Sequence, residues 1–415
     1  MSSLKNLEFH PGMLIEPGVS KANDLLLLLC MLFGLSSSFQ KFGVFDLVNK
    51  GLMGVLCLVI LAVFFMRRQP KTCVLLLSLL MLLHAIALAF HISPEEGIST
   101  YFMYAFWGLF WIYLSSNMDD FARAAKRGQQ MLKAVLWFWS TVTAISFFLP
   151  FCYKTGWGGG SYFTSFTSDS FEIAPVAMLM LAVNILLFRI DGNKRSALLL
   201  AIVPVACALM AGTRTYLVVI VLEFVLLCRM VIKNKRTFAI SVVAVIAAFV
   251  ALVTVTNVGQ KFESAMLNTD DIAVFLDVFT NGRSEFWAID MEAFFDSSPF
   301  CVLFGHGFSF VYDLNQQAMG VRLYAHNDFI NVLLSFGAIG MVVYLAAFVP
   351  VIFLVRERAG GFACAIFSLM WLFNAFFNMI YVYVAAVIAM GVLAVALSHR
   401  FENEKSSSSL GKSVA

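Results

Sequence analysis

Charge is what this chain has least of. Only 13% of its 415 residues are charged and 61% are hydrophobic, whereas soluble domains carry roughly 25% charged residues. So much apolar surface cannot be hidden in one aqueous core, which excludes a single water-soluble domain and makes lipid part of the solvent. The net charge of +3 is small, and the basic residues are sorted by position along the chain, so no nucleic-acid partner is expected. The chain has no CxxC and no Cys/His cluster, which excludes the usual zinc sites. Cys30, Cys57, Cys73, Cys207, Cys228 and Cys364 lie in or at the ends of apolar runs. Cys152 and Cys301 alone fall in the opposite class of loop, where a disulfide is conceivable. There is no Walker-type phosphate loop, so ATP use is not expected. No signal-peptide layout precedes a polar domain, and the first apolar run is expected to stay as an anchor.

What fills the chain is long apolar runs. A helix needs about 20 apolar residues to cross the hydrocarbon core. Runs near that length occupy 24–39, 44–66, 72–91, 100–116, 131–151, 171–189, 196–211, 215–232, 237–257, 325–355, 362–379 and 381–398. The expected fold is therefore an all-α integral membrane protein with about 12 transmembrane helices. The connecting segments alternate in charge. Arg67, Arg68 and Lys71, then Arg123, Lys126 and Arg127, then Arg189, Lys194 and Arg195, then Arg229, Lys233, Lys235 and Arg236, then Arg356 and Arg358 occupy every second connection. The positive-inside rule puts these segments, and both termini, in the cytoplasm. The expected division is helices 1–9 in 1–257, one large outer loop in 258–324, helices 10–12 in 325–399 and a cytoplasmic tail in 400–415, with a serine run at Ser406–Ser409.

The long outer loop is too rich in aromatic residues to read as disordered, and loops of this length are usually functional or disordered. Trp287, Met291, Phe294 and Phe295 mark one face of a short helix over 284–298. Outer-side arginines are disfavoured by topology, so Arg214, Arg283 and Arg322 each need a reason. Arg214 stands at a span boundary, and Arg283 in the first turn of the loop helix. A helix N-terminus favours anions, and the planar guanidinium fork pairs with phosphate oxygens bidentately. The plain alternative is that these arginines snorkel to headgroups or pair with Asp270, Asp271, Glu285 or Asp313. His326, where the loop re-enters the membrane, is a candidate proton acceptor; a structural histidine bonded to a loop carbonyl is the alternative. Asn327 or Asp328 would cap the helix that follows. His306, between Gly305 and Gly307, reads as structural. Trp157, Tyr162, Trp287 and Tyr324 are outer-loop aromatics able to stack on sugar rings. No metal site is expected on the outer side: Asp119-Asp120 falls in a cytoplasmic segment and Asp270-Asp271 has the wrong spacing. The charges within spans, Asp46, Lys50, Lys133, Glu172 and Glu223, are few and mostly near span ends, unlike an ion-coupled transporter.

Four stretches together resemble the O-antigen polymerase and O-antigen ligase superfamily. They are Asn281-Gly282-Arg283-Ser284-Glu285-Phe286-Trp287, Leu303-Phe304-Gly305-His306-Gly307-Phe308, Ala325-His326-Asn327-Asp328-Phe329 and Phe336-Gly337-Ala338-Ile339-Gly340. The Gly212-Thr213-Arg214-Thr215 stretch is similar to the arginine that family places before a transmembrane helix upstream of its large periplasmic loop. The resemblance covers about 205–345. It implies a GT-C-like, metal-independent glycosyltransferase of the bacterial inner membrane, without a cofactor, working on the periplasmic face. Its donor would be an undecaprenyl-pyrophosphate-linked oligosaccharide, and its other partners membrane lipids and a chain-length regulator. Arg214 and Arg283 would hold the pyrophosphate, with Arg322 nearby, and His326 would be the base. A polymerase joining lipid-linked repeat units is the expected activity. A ligase transferring glycan to lipid A–core is the alternative within the family, and a lipid-linked sugar flippase the alternative outside it. The long loop and the lack of an internal repeat speak against transport.

Overall fold

The protein was analysed as a computed structural model, which describes residues 17–67, 69–90, 97–155, 160–254, 282–399 and 401. Helices α1 (Pro17–Ser37), α2 (Val44–Met66), α3 (Lys71–Phe90), α4 (Gly97–Arg127) and α5 (Gln129–Ser146) come first. A 3-10 turn at Pro150–Cys152 leads into a two-stranded antiparallel ribbon, β1 (Tyr153–Thr155) and β2 (Ser161–Phe163), in which Lys154 faces Tyr162. Then follow α6 (Ser170–Asp191), α7 (Lys194–Ala211), α8 (Arg214–Val231) and α9 (Lys235–Thr254). The described part of the long loop holds α10 (Arg283–Phe295), α11 (Pro299–Phe304) and α12 (Phe310–Met319). The chain closes with α13 (Asp328–Ala359), α14 (Gly361–Phe377) and α15 (Val384–Ser398). Among the described residues six helices, α1, α2, α3, α6, α7 and α13, are long and apolar enough to cross a membrane by length and composition, and α14 and α15 are shorter apolar helices. The chain is a mostly helical, multi-pass membrane protein.

Sequence decides which helices are central. Every residue of α15 is buried, and α6 is buried along nearly all of its length. Helices that are apolar all round belong inside, and α6 and α15 pack on each other in the middle of the bundle. α6 starts in a capping box in which Glu172 accepts from the main-chain N–H of Asp169, itself the N-cap. That reciprocal bonding satisfies the first free donors of the helix. α4 runs past its apolar stretch to Arg127, with a break in helical geometry at Asn117. Glu223 differs from the charges near span ends: it is fully buried midway along α8, and its carboxylate has no hydrogen-bond partner among the described residues.

Two glycine-bearing motifs lock the long loop onto the bundle. α13 breaks at Gly337, where φ is +69°, and α11 ends at Gly305, where φ is +82°. The carbonyls of Leu334 and Ser335 then accept hydrogen bonds from the N–H groups of His306 (2.7 Å) and Gly307 (3.1 Å). A Cβ on Gly305 would come within 2.3 Å of the Ser335 carbonyl carbon, and one on Gly337 within 2.3 Å of that of Leu303. Only glycine allows this approach and this φ together. Cys152 and Cys301 are both free thiols, so the loops are not joined by a disulfide.

The bundle has two chemically distinct ends. At one, Asp120 bonds Arg67 and Arg123, Arg127 meets Asp24 at 2.6 Å, and Lys133 meets Asp191 at 3.1 Å. Asp119 is held by Arg358 at 2.6 Å and His399 at 3.1 Å. At the other end stand the β-ribbon, α10–α12 and the 378–383 connection.

Candidate active site

Two helix starts supply the arginines. Gly212, at φ +67°, ends α7, and Arg214 opens α8. Gly282, at φ +79°, precedes Arg283, which opens α10. Each arginine thus stands among the unbonded N–H groups of a first helical turn, where the dipole favours an anion. The two guanidinium groups are close enough to repel each other. Arg283 donates to the carbonyl of Phe377. Burial, with the repulsion of Arg214 added, lowers its pKa to about 10, while Tyr383 beside it works the other way. Arg214 also faces Tyr162 of β2. Burial raises the Tyr162 phenol above its ordinary pKa, so it remains a neutral donor.

His326 lies next to Arg283. Burial and that positive neighbour lower its pKa to about 3, so its ring is neutral at physiological pH. The ring makes no hydrogen bond among the described residues. Its backbone is in the left-handed region at φ +52°, a conformation that non-glycine residues adopt at a cost of about 1–2 kcal/mol. Anchors on both sides hold it there. The Trp287 indole N–H donates to the Ala325 carbonyl at 2.6 Å. The Asn327 side chain caps α13, accepting from Phe329 N–H (3.0 Å) and Ile330 N–H (3.2 Å). Asp328 is not the cap. It is fully buried and accepts from the Tyr344 hydroxyl (2.7 Å) and the Ile380 N–H (3.2 Å), tying the 378–383 connection to α13.

The structure therefore gathers Arg214, Arg283, His326 and Tyr162. Arg322 is engaged on α12, meeting Asp313 at 3.6 Å and lying over the Tyr312 ring. Tyr324 packs on that same Tyr312, with ring centroids 4.1 Å apart. Trp287 commits its N–H to the main chain and its ring to Phe376, so it supports the site from behind. Trp157 lies outside the described residues, as do Asp270 and Asp271. His306 bonds the Ser297 hydroxyl at 2.6 Å and stacks on Phe310, with centroids 3.9 Å apart. The sequence reading missed Tyr383, which adjoins Arg283 and meets Tyr216 edge-on at 5.8 Å. No motif marks it, since it lies in an apolar stretch between two helices. Among the described residues no three His, Cys, Asp or Glu side chains cluster as a metal site.

Fold and site together define a membrane protein with paired arginines and a neutral histidine at one end of its helical bundle. Residues 197–345 match the family model described as O-Antigen ligase, a match consistent with the O-antigen polymerase and ligase superfamily. The matched segment runs from α7 into α13 and includes Arg214, Arg283, Arg322 and His326. At the coarse level this is a family of glycosylation enzymes that act on lipid-linked oligosaccharides. No curated protein matches the chain.

Proposed function

We propose that this protein is a surface-polysaccharide polymerase of the bacterial inner membrane, with twelve spans, both termini cytoplasmic and the arginine end facing the periplasm. It joins oligosaccharide repeat units carried on undecaprenyl pyrophosphate. One observation carries this reading: Arg214 and Arg283, from two separate helix starts, converge beside the neutral His326. A hydroxyl of the non-reducing sugar on one lipid-linked unit gives its proton to the His326 ring. Its oxygen forms a bond to the anomeric carbon of the growing chain. The bond from that carbon to the pyrophosphate breaks, and undecaprenyl pyrophosphate leaves with its new negative charge between the arginines. Preorganised cations at developing charge do what Mg²⁺ does elsewhere. A positioned base contributes about 10²–10⁴-fold. Binding of the pyrophosphate offsets the Arg283 charge that depresses the His326 pKa, so the base strengthens when donor is present.

The description of the matching family favours a second reading, in which the same step transfers finished glycan to lipid A–core. Purified protein in lipid nanodiscs, given only lipid-linked repeat units, separates the two. A ladder of lengthened products, unaffected by chelator and lost in His326→Ala, is the expected result. Product only when lipid A–core is added would establish the ligase. A normal ladder from folded His326→Ala protein would overturn the histidine's role in either. A periplasm-only reporter should be active after Gln260 and silent after Lys235; the reverse would invert the topology.

A further inference from the structure

Asp290 has no part in the chemistry above, yet it is fully buried in a small second core at the loop end. That core contains Phe294, Val311, Ala325, Ile330 and Leu334. Asp290 lies seven residues beyond Arg283 and three beyond Trp287, so all three share one face of α10. This face meets the segment leading to His326. Arg283 adjoins His326, and Trp287 bonds the Ala325 carbonyl. Asp290 faces Asn315 of α12, whose Nδ2 donates to the Leu323 carbonyl at 3.0 Å. The Asn315 Oδ1 and both Asp290 oxygens are buried with no hydrogen-bond partner among the described residues. Buried acceptors left unbonded are costly. A proton on the carboxyl turns one acceptor into a donor for which the unbonded Asn315 Oδ1 is an acceptor.

We propose that Asp290 is a positioning residue: as a neutral acid donating to Asn315 it fastens α10 and α12 to the Leu323–His326 segment and so sets His326 against Arg283. This inference rests on the proposed function only for what the aligned residues do. Burial pushes the Asp290 pKa up to about 7, with the Asn315 amide working against it. Among the described residues no charge from the packed elements faces this carboxyl. On α12, Asp313 turns to Arg322. On α13, Asp328 is bound by Tyr344 and Ile380. From the α11 connection, His306 is bound to Ser297. On α10 itself, Glu285 and Glu292 project from other faces, and Arg283 lies two turns away. Ionisation above about 7 would put a charge into an apolar core and loosen the fastening.

Full-length protein in nanodiscs tests this by two readouts. The first is hydrogen–deuterium exchange across 283–327 at pH 6 and pH 8, corrected for intrinsic rates. The wild type should be protected at pH 6 and open at pH 8, whereas Asp290→Asn, which keeps a donor and cannot ionise, should stay protected at both. The second is transfer activity, which should fall about tenfold in the wild type as pH rises from 6 to 8 and hold level in Asp290→Asn. Asp290→Ala should lose activity at every pH, toward the roughly 10²-fold that small misplacements produce. If the exchange result appears without transfer of lipid-linked glycan, the proposed function fails and the positioning role stands. If Asp290→Asn opens at pH 8 as the wild type does, or if Asp290→Ala exchanges like the wild type, the positioning role is overturned.

Discussion

The paired arginines at the basic end and Arg283 at the loop end are held in opposite ways. At the basic end, Arg67, Arg123, Arg127 and Arg358 each meet an aspartate, and Asp119 and Asp120 each serve two partners. At the loop end, Arg283 donates a hydrogen bond to the main-chain carbonyl of Phe377 and feels the like charge of Arg214. Carboxylates within reach neutralise a cation and make it structural. A cation held on a main-chain carbonyl, as Arg283 is, keeps a field that an anion can satisfy. The same residue type thus braces helices at one end and, in the proposed function, binds substrate at the other.

The strongest way to break this comparison is to remove the loop-end cations. Arg214→Ala with Arg283→Ala should lower transfer by roughly 10²–10⁴-fold, since each charged hydrogen bond is worth about 1.5–3 kcal/mol. Arg283→Lys should remain impaired, because an ammonium lacks the bidentate fork. Initial rates on a lipid-linked donor, with thermal unfolding as a control, decide it; near wild-type rates would end the clamp.

The converse change at the basic end should alter stability and not chemistry. Asp120→Ala leaves Arg67 and Arg123 without their shared, buried partner. Both arginines are partly exposed, so the expected loss is moderate, about 1–3 kcal/mol. It should appear in denaturation of detergent-solubilised protein, with transfer per folded molecule unchanged.

A pH profile sharpens the contrast between ordinary and constrained histidine. The folded-state pKa of His326 is lowered from 6.5 to about 3. The unfolded chain takes up its proton first, so this residue's contribution to stability is complete above 6.5 and lost as pH falls toward 3. kcat/KM reports the free enzyme, and it should show no acid limb near 6.5. The acid limb of kcat should lie at higher pH than that of kcat/KM, because bound pyrophosphate offsets Arg283. Coincident limbs near 6.5 would show that neither burial nor Arg283 lowers the His326 pKa. The smallest effect is expected at His306. His306→Ala removes one hydrogen bond to Ser297 and one ring contact. About 1 kcal/mol of stability should go, with transfer of folded protein retained; complete loss of transfer would move the base to His306.

Sequence by itself determined the helical membrane architecture, because apolar runs and alternating basic connections depend only on local composition and bilayer thickness. It also singled out Arg214, Arg283 and His326, since cations in connections expected to be poor in them and a histidine beside a helix cap stand out one at a time. Tertiary structure alone decided which of these meet. Arg322 carries the same local signal as Arg283, but α12 brings it to Asp313 while α10 brings Arg283 to His326. Only packing revealed Tyr383, Asp290 and Asn315, whose neighbours in sequence give no sign of their partners. The seating of Gly305 against Gly337 was equally hidden, because two motifs far apart in the chain must approach before the need for glycine at both exists. A residue's type and its place in or between apolar runs follow from local sequence, whereas its partners follow from the long-range contacts that fix one helix against another.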